Sequence, residues 1–303
     1  PRSQDAMQIV NMLTRRMRAL GVRIIGGSMV SAVSTDGRTF RVRTPAGEYE
    51  ADVLVVTTGG KPSPEGYSFL DGLGLSIVPP VPSLFTFNIP GSAVRELMGT
   101  VVEDVVVSLA GTAFKAHGPL LVTHWGMSGP AVLRLSSYAA RYLAERSYDA
   151  DLLVNWTGGS FDEANGLLRR AACANPMKLV ANSRPEAIPG RLWDYLVSKS
   201  GIQHDVRWSD IGSKGFNRLA DTLCNDVYRI HGRTRFKDEF VTCGGVSLGE
   251  IDFNTMESRK HPGLFFAGEV LDIDAVTGGF NLQAAWTTGW IAARSVSAIC
   301  LGE

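Results

Sequence analysis

Three stretches of the 303-residue chain carry residue types whose spacing could do chemistry. The run Gly263-Leu-Phe-Phe-Ala-Gly268-Glu269 is an apolar strand signal ending in an acid. A carboxylate just past a strand end sits where open α/β sheets bind ligands, and it can accept a hydrogen bond from a sugar-type hydroxyl. Thr277-Gly278-Gly279-Phe280-Asn281-Leu282-Gln283 precedes a long helical pattern. Its two glycines expose the first N–H groups of that helix, which suits an anionic or carbonyl-bearing ligand. Asp52–Thr57 is a continuous apolar strand signal running into Thr58-Gly59-Gly60, where small residues let a flat or phosphorylated group approach the backbone. Each stretch also has a bland reading, respectively a solvated carboxylate capping a turn, an ordinary helix start with Asn281 near the cap, and a plain strand-to-loop turn.

The elements that must position these stretches follow from periodicity. Ser3 reads as an N-cap for a helix to about Leu20, with Ile9, Leu13, Met17 and Leu20 on one buried face. A short strand follows at Val22–Ile25. Met29–Ser34, Thr39–Thr44 and Glu48–Glu50 read as an antiparallel meander, turned at Asp36-Gly37 and Pro45-Ala46-Gly47. Residues 61–83, with five prolines, read as loop and a domain crossing. Strand patterns then fall at Leu84–Ile89, Val101–Leu109, Leu120–Thr123 and Leu152–Trp156, with one helix at about Ser128–Arg146, capped by Ser128 with Pro130 in its first turn. Residues 160–225 are helical, Asp226–His231 returns to strand, Phe240–Cys243 and Leu264–Ala267 are strands, and Leu282–Ile299 is a helix.

Composition narrows the class. The chain is 45% hydrophobic, enough for a sizeable core, and 303 residues suggest about two domains. Lys plus Arg and Asp plus Glu are 30 each. With no basic excess, a nucleic-acid partner is not expected. No stretch has membrane-spanning length and no signal peptide is seen, so a cytoplasmic protein is expected. Cys173, Cys224, Cys243 and Cys300 form no C-x-x-C pair and read as reduced, mostly buried thiols.

Other motifs carry less. Gly245-Val-Ser247-Leu-Gly249 matches G-x-S-x-G, but a nucleophile elbow needs a helix directly after the serine, and Glu250-Ile-Asp-Phe-Asn reads as strand or turn. His124 beside Trp125 reads as structural, and His204, His231 and His261 have no metal-ligand spacing, so no metal is expected. Trp193, Trp208 and Phe216 read as core, with an apolar substrate cleft as the alternative.

The order of these parts is more specific than any one of them. It runs helix, meander, apolar strand ending Thr-Thr-Gly-Gly, large insertion, strand ending Gly-Glu, Gly-Gly, final helix. The chain resembles two-dinucleotide-binding-domain flavoproteins of the glutathione-reductase type, and among them the HI0933-like bacterial FAD- or NAD(P)/FAD-dependent oxidoreductases. The stretches that carry this are Thr58–Gly60, Val78-Pro79-Pro80, Thr123–Pro130, Thr242-Cys-Gly-Gly-Val-Ser247, Gly268-Glu-Val-Leu-Asp272 and Thr277–Gln283.

The resemblance implies an α/β fold, a Rossmann-like FAD-binding domain at 1–83 and 240–303 with an insertion at 84–239. The insertion would be a β-barrel (84–156 and 226–239) and a helical subdomain (157–225). It implies FAD contacts at Thr58, Gly59, Gly60, Gly268, Glu269, Gly278, Gly279, Asn281, Leu282 and Gln283, and an adenine contact at Val30. The Gly-Glu strand end would face the ribityl–pyrophosphate region, and the Gly-Gly helix start the flavin, whose ring carries carbonyls. It implies hydride or electron transfer through FAD with NAD(P)H or oxygen as the redox partner, and a small-molecule substrate of apolar character. Members of the family are linked to reduction of conjugated steroid-type enones and to amine-type oxidation. The family's opening G-x-G-x-x-G loop is absent from these 303 residues. Ile24-Ile-Gly-Gly-Ser-Met-Val-Ser31 and Gly72-Leu-Gly74 match it only in part. The chain therefore reads as beginning after roughly a hundred family residues, binding FAD weakly or not at all alone. The competing reading is a cofactor-free interaction module or an inactive fragment.

Overall fold

The computed structural model describes residues 3–232 and 241–302. The chain forms two compact units, one of residues 1–54 and 68–75, the other of 55–67 and 76–303.

The first unit opens with α1 (Ala6–Ala19), whose N-cap is Asp5, its side chain accepting the Met7 N–H. Ser3 is not the cap; its hydroxyl donates to Gln8 Oε1. The expected buried face is not buried. Ile9, Leu13, Met17 and Leu20 are all exposed, as are Val22, Ile24 and Ile25 in the following segment. That segment forms no strand, because no neighbouring strand takes up its backbone groups. β1 (Ala32–Thr35), β2 (Phe40–Thr44) and β3 (Gly47–Ala51) form the expected meander in antiparallel register, Val33 opposite Val42 and Phe40 opposite Ala51. Asp36 Oδ1 accepts the N–H groups of Arg38 and Thr39 and so fixes the first turn. Val33, Phe40, Phe69, Leu70 and Leu73 supply the buried apolar side chains.

β4 (Leu54–Val56) ends the apolar run, and a 3-10 helix, Pro64–Leu73, carries the chain between the units. The proline-rich stretch read as loop is a strand, β5 (Ile77–Ser83). Among the described residues it pairs with one neighbour, antiparallel, β12 (Val241–Val246). A two-stranded ladder with an irregularity between Cys243 and Gly245 tolerates prolines that cannot donate. Phe240, expected to open β12, lies outside the described residues, as do 233–239 of the expected barrel.

The second unit is built around a six-stranded sheet. Its strands are β6 (Phe87–Asn88), β7 (Val101–Leu109), β8 (Lys115–Val122), β9 (Gly126–Ser128), β10 (Asp149–Asn155) and β11 (Asp226–His231), in the order β11-β10-β7-β8-β9-β6. Asn88 Nδ2 donates to His231 O at 3.0 Å, so the two edge strands meet and the sheet nearly closes. The helix expected at Ser128–Arg146 is two, α2 (Pro130–Tyr138) and α3 (Ala140–Glu145), with Gly129 rather than Ser128 at the cap and Pro130 in the first turn. α4 (Phe161–Ala174) starts on a capping box, Ser160 with Glu163. α5 (Gly190–Lys199) and α6 (Gly212–Cys224) complete the helical part. Phe87, Leu120, Leu135, Trp156, Leu168 and Trp193 belong to one continuous core. Trp193 and Trp208 are core, and the Trp208 ring stacks on Phe216.

At the sheet's helical side, Asp226 is 2% exposed. It accepts the Trp156 indole N–H at 2.9 Å and the Tyr228 hydroxyl, and pairs with Lys199. The end of β10, α5 and β11 are tied by one satisfied carboxylate, the arrangement a buried charge requires.

The remaining strands, β13 (Ile251–Asp252), β14 (Glu257–Ser258) and β15 (Leu264–Phe266), form a second sheet in the order β13-β14-β15-β4. Ser247 is followed by a three-residue 3-10 turn, Leu248–Glu250, and then β13, not by the helix a nucleophile elbow needs. α7 (Phe280–Leu301) closes the chain. All four cysteines are free; Cys173 and Cys300 are exposed, contrary to the mostly buried set expected. Among the described residues, no helix is long and apolar enough to cross a membrane and no group of three His, Cys, Asp or Glu could hold a metal.

Candidate functional site

β4 and β15 deliver two of the three chemical stretches to one place. The Ala267 N–H donates to Val56 O at 3.1 Å, so the two strand ends lie side by side. Beyond Val56 the chain continues into Thr58-Gly59-Gly60, and beyond Ala267 into Gly268-Glu269. The Glu269 carboxylate is half-buried and its Oε1 accepts the Thr242 N–H at 2.7 Å. Gly60 lies against both. A Cβ there would stand 2.6 Å from Thr242 Cβ and 2.9 Å from Glu269 Oε1. Glycine at 60 is thus demanded by close approach of two protein segments, which the sequence alone could not distinguish from approach of a ligand.

Tyr67, which no motif pointed to, stands behind this junction. It is buried, and its hydroxyl oxygen accepts the Lys61 N–H at 3.2 Å. Burial raises its hydroxyl above the ordinary tyrosine range, and the charges of Glu269 and Asp272 push in the same direction. Lys61 Nζ donates to Thr58 O at 3.3 Å, folding the glycine turn onto its own lysine.

The loop from Glu269 to α7 carries a second polar cluster. Ser83 Oγ donates to Asp274 Oδ2 at 2.7 Å. Arg141 reaches Pro79 O at 3.2 Å and Asp272 Oδ1 at 3.5 Å. Burial and the Asp274 charge push the Cys243 thiol up to about 11, so it is protonated at neutral pH.

The third stretch is positioned by α7. Gly279 is the N-cap residue at φ +85, a left-handed conformation that glycine adopts without cost. Gly278, Gly279 and Leu282 are exposed. Asn281 is occupied on both ends of its amide: Oδ1 accepts the Ala275 N–H at 2.8 Å and Nδ2 donates to Ala275 O at 2.9 Å. Gln283 Nε2 donates to Thr287 Oγ1 at 3.0 Å. The Gly268 N–H is taken by Thr288 Oγ1 at 2.9 Å.

Of the expected residues, the structure therefore brings Gly60, Gly268 and Glu269 together at the paired strand ends, with Thr58 and Gly59 on the turn entering that junction. Gly278, Gly279, Asn281, Leu282 and Gln283 form the helix start. Val30 lies in the first unit, half-buried and two residues before β1. Sequence reasoning singled out neither Tyr67 nor Thr288. Thr242 opened one of the resemblance-bearing stretches, which was the only signal for it.

The junction offers a fixed carboxylate and open glycine turns. Those features fit the ribityl and ring portion of a flavin dinucleotide, and among the described residues no glycine-rich turn of the G-x-G-x-x-G type supplies the pyrophosphate. Comparison with known proteins gives the same direction. A model described as the HI0933-like protein Rossmann domain matches residues 1–295. The chain is 31% identical over 311 aligned positions to a ribosomal RNA dihydrouridine synthase of Escherichia coli, the match covering 97% of this chain and 73% of that protein. It is 29% identical to a protein of the same name from Haemophilus influenzae, with the same coverage. It is 27% identical to a 3-dehydro-bile acid delta(4,6)-reductase of Clostridium scindens, covering 98% of this chain and 75% of that protein.

Proposed function

The chain belongs to the HI0933-like family of Rossmann-type flavoproteins, and from that premise we propose that it is the greater part of an FAD-dependent reductase acting on a carbon–carbon double bond conjugated to a carbonyl. The observation that carries this reading is the Glu269 carboxylate, held by the Thr242 N–H where two strand ends meet beside Gly60. Among the described residues only its Oε1 is engaged, and in this proposal the second oxygen receives a ribityl hydroxyl. The relatives' names add the reaction class, since making dihydrouridine from uridine and reducing a bile-acid dienone both saturate a double bond conjugated to a carbonyl.

Bound FAD would supply the hydride, with NADH or NADPH as the source of electrons. The residues of this chain have other duties in the proposal. Glu269, Gly268 and Thr58–Gly60 bind the ribityl side, and Gly278, Gly279 and Gln283 border the ring. Leu282 flanks the ring. The insertion 84–239 covers the substrate, which is a small molecule. The four free thiols suit a cytoplasmic setting.

We further propose that this chain alone grips FAD weakly. It lacks the glycine loop, and α7 turns Leu282, Trp286 and Trp290 outward at 69%, 58% and 68% exposure. Apolar area of that kind marks a face that packs against something. In this proposal it packs against an element that supplies a pyrophosphate-binding turn.

The test is an absorbance spectrum of the purified chain before and after adding FAD and desalting. A colourless product after desalting, with FAD bound only while in excess, is expected. Retained bands at roughly 370 and 450 nm would overturn the weak-grip part. With excess FAD and NADH or NADPH, consumption of a 3-oxo-Δ4 steroid would identify a small-molecule substrate, and consumption of uridine in ribosomal RNA would overturn the small-molecule part of the reading. Absence of any FAD binding would favour the interaction-module reading.

A further inference from the structure

We infer that Thr288 is a positioning residue of this site, its buried hydroxyl locking the Gly268-Glu269 strand end onto α7, with Asn281 locking the far end of the same loop. The inference rests on reading the site as a flavin cradle.

Thr288 is one of only two buried residues on α7. Its Oγ1 accepts the Gly268 N–H at 2.9 Å and donates back to Ala284 O at 2.8 Å. A threonine hydroxyl donating to the carbonyl four residues earlier is common in helices and by itself means little. Here the same oxygen also serves a backbone N–H twenty positions away, at the strand end that presents Glu269. About two turns nearer the helix start, Asn281 does the corresponding work for Ala275, in both directions. The loop between residues 268 and 279 is therefore pinned to α7 at two points by side chains whose hydrogen bonds run to the protein's own backbone.

The consequence is preorganisation. A loop held in one conformation before binding does not have to be ordered at the cost of affinity. It also keeps Glu269 in register with Thr242 and Gly60, which approach it from other segments. Glu269 is then the ligand-facing group, and Thr288 and Asn281 act through it and through the glycine turn.

The test compares wild type, Thr288→Val, Thr288→Ser and Asn281→Asp. Two quantities are read: the dissociation constant for FAD, from quenching of its fluorescence, and amide exchange at Gly268 and Ala275 in the unliganded protein. Valine keeps the shape and strands the Gly268 N–H, so FAD binding weakens about tenfold and Gly268 exchange quickens by a similar factor. Serine restores both to within about twofold. Asn281→Asp keeps the acceptor and loses the donor, weakening FAD binding roughly threefold, and it decides the matter if Thr288→Val does not fold. Thr288→Val binding FAD like wild type, or serine failing to rescue, would overturn the inference. If wild type binds no FAD, the flavin reading falls, and exchange alone decides the lock: unchanged Gly268 exchange in Thr288→Val removes it.

Discussion

Thr242 and Glu269 are joined through a backbone N–H and a carboxylate oxygen 2.7 Å apart, and Gly60 is shaped by both. Thr242 lies on β12, Glu269 follows β15 and Gly60 follows β4, so three strands widely separated in sequence share one junction. Substitution there tests the geometry directly.

Gly60→Ala pushes a methyl group into Thr242 and Glu269. It is expected to destabilise by about 1–3 kcal/mol, the usual range for overpacking. Gly289→Ala is the control, since it sits in α7 with nothing within 4 Å of the added carbon; it should stabilise by about 0.5–1 kcal/mol. Urea denaturation of both variants measures the contrast, and equal effects would mean that the junction is looser than described.

Alkaline pH should destabilise the second unit through Tyr228. Burial, followed by the Asp226 charge, raises its hydroxyl far above the ordinary tyrosine value. The folded state then keeps a proton that the unfolded chain releases near pH 10. Stability is full below that point and falls as pH rises beyond it. Melting temperature followed from pH 8 to 11 should show the fall, and Tyr228→Phe should flatten it while lowering the neutral-pH value.

Thiol reactivity should sort by burial. Cys173 and Cys300 are exposed, Cys224 is buried, and burial pushes the Cys243 thiol up to about 11. At pH 8 a disulfide reagent should modify two cysteines quickly and two only on denaturation. Fast modification of Cys243 in a mapped digest would show that its protonated state is not maintained.

Tryptophan replacements should separate core from outward face. Trp193→Ala empties a fully buried site and is expected to cost about 3–5 kcal/mol. Trp290→Ala, at 68% exposure, should change this chain's stability by less than about 0.5 kcal/mol. A large loss on Trp290→Ala would show that α7 is already covered in solution.

Replacing Asp226 by Ala leaves Lys199, Trp156 and Tyr228 without their shared acceptor. A loss of about 3–5 kcal/mol is expected for breaking a buried pair, read by calorimetry at pH 7. A near-neutral result would mean that water replaces the carboxylate.

By itself the sequence determined the elements with strong periodicity and the residue types at their ends. The meander followed from alternation and from Asp36-Gly37. The long strand β7 and the final helix followed from their patterns, and Gly-Glu and Gly-Gly marked the ends where a ligand could sit. These are local properties, and local chemistry suffices to read them. Only the tertiary structure decided the rest. Prolines 79, 80 and 82 read locally as loop, yet β12 offers a ladder with few donors demanded, and they become a strand. The apolar stripe of α1 reads as a buried face and is exposed, because burial depends on what packs opposite and not on the stripe. Gly60 needs no side chain because Thr242 and Glu269 arrive from 182 and 209 positions downstream, and Thr288 acquires its role only because Gly268 is brought within reach of its hydroxyl. No spacing rule encodes such meetings, since each is fixed by how separate elements pack.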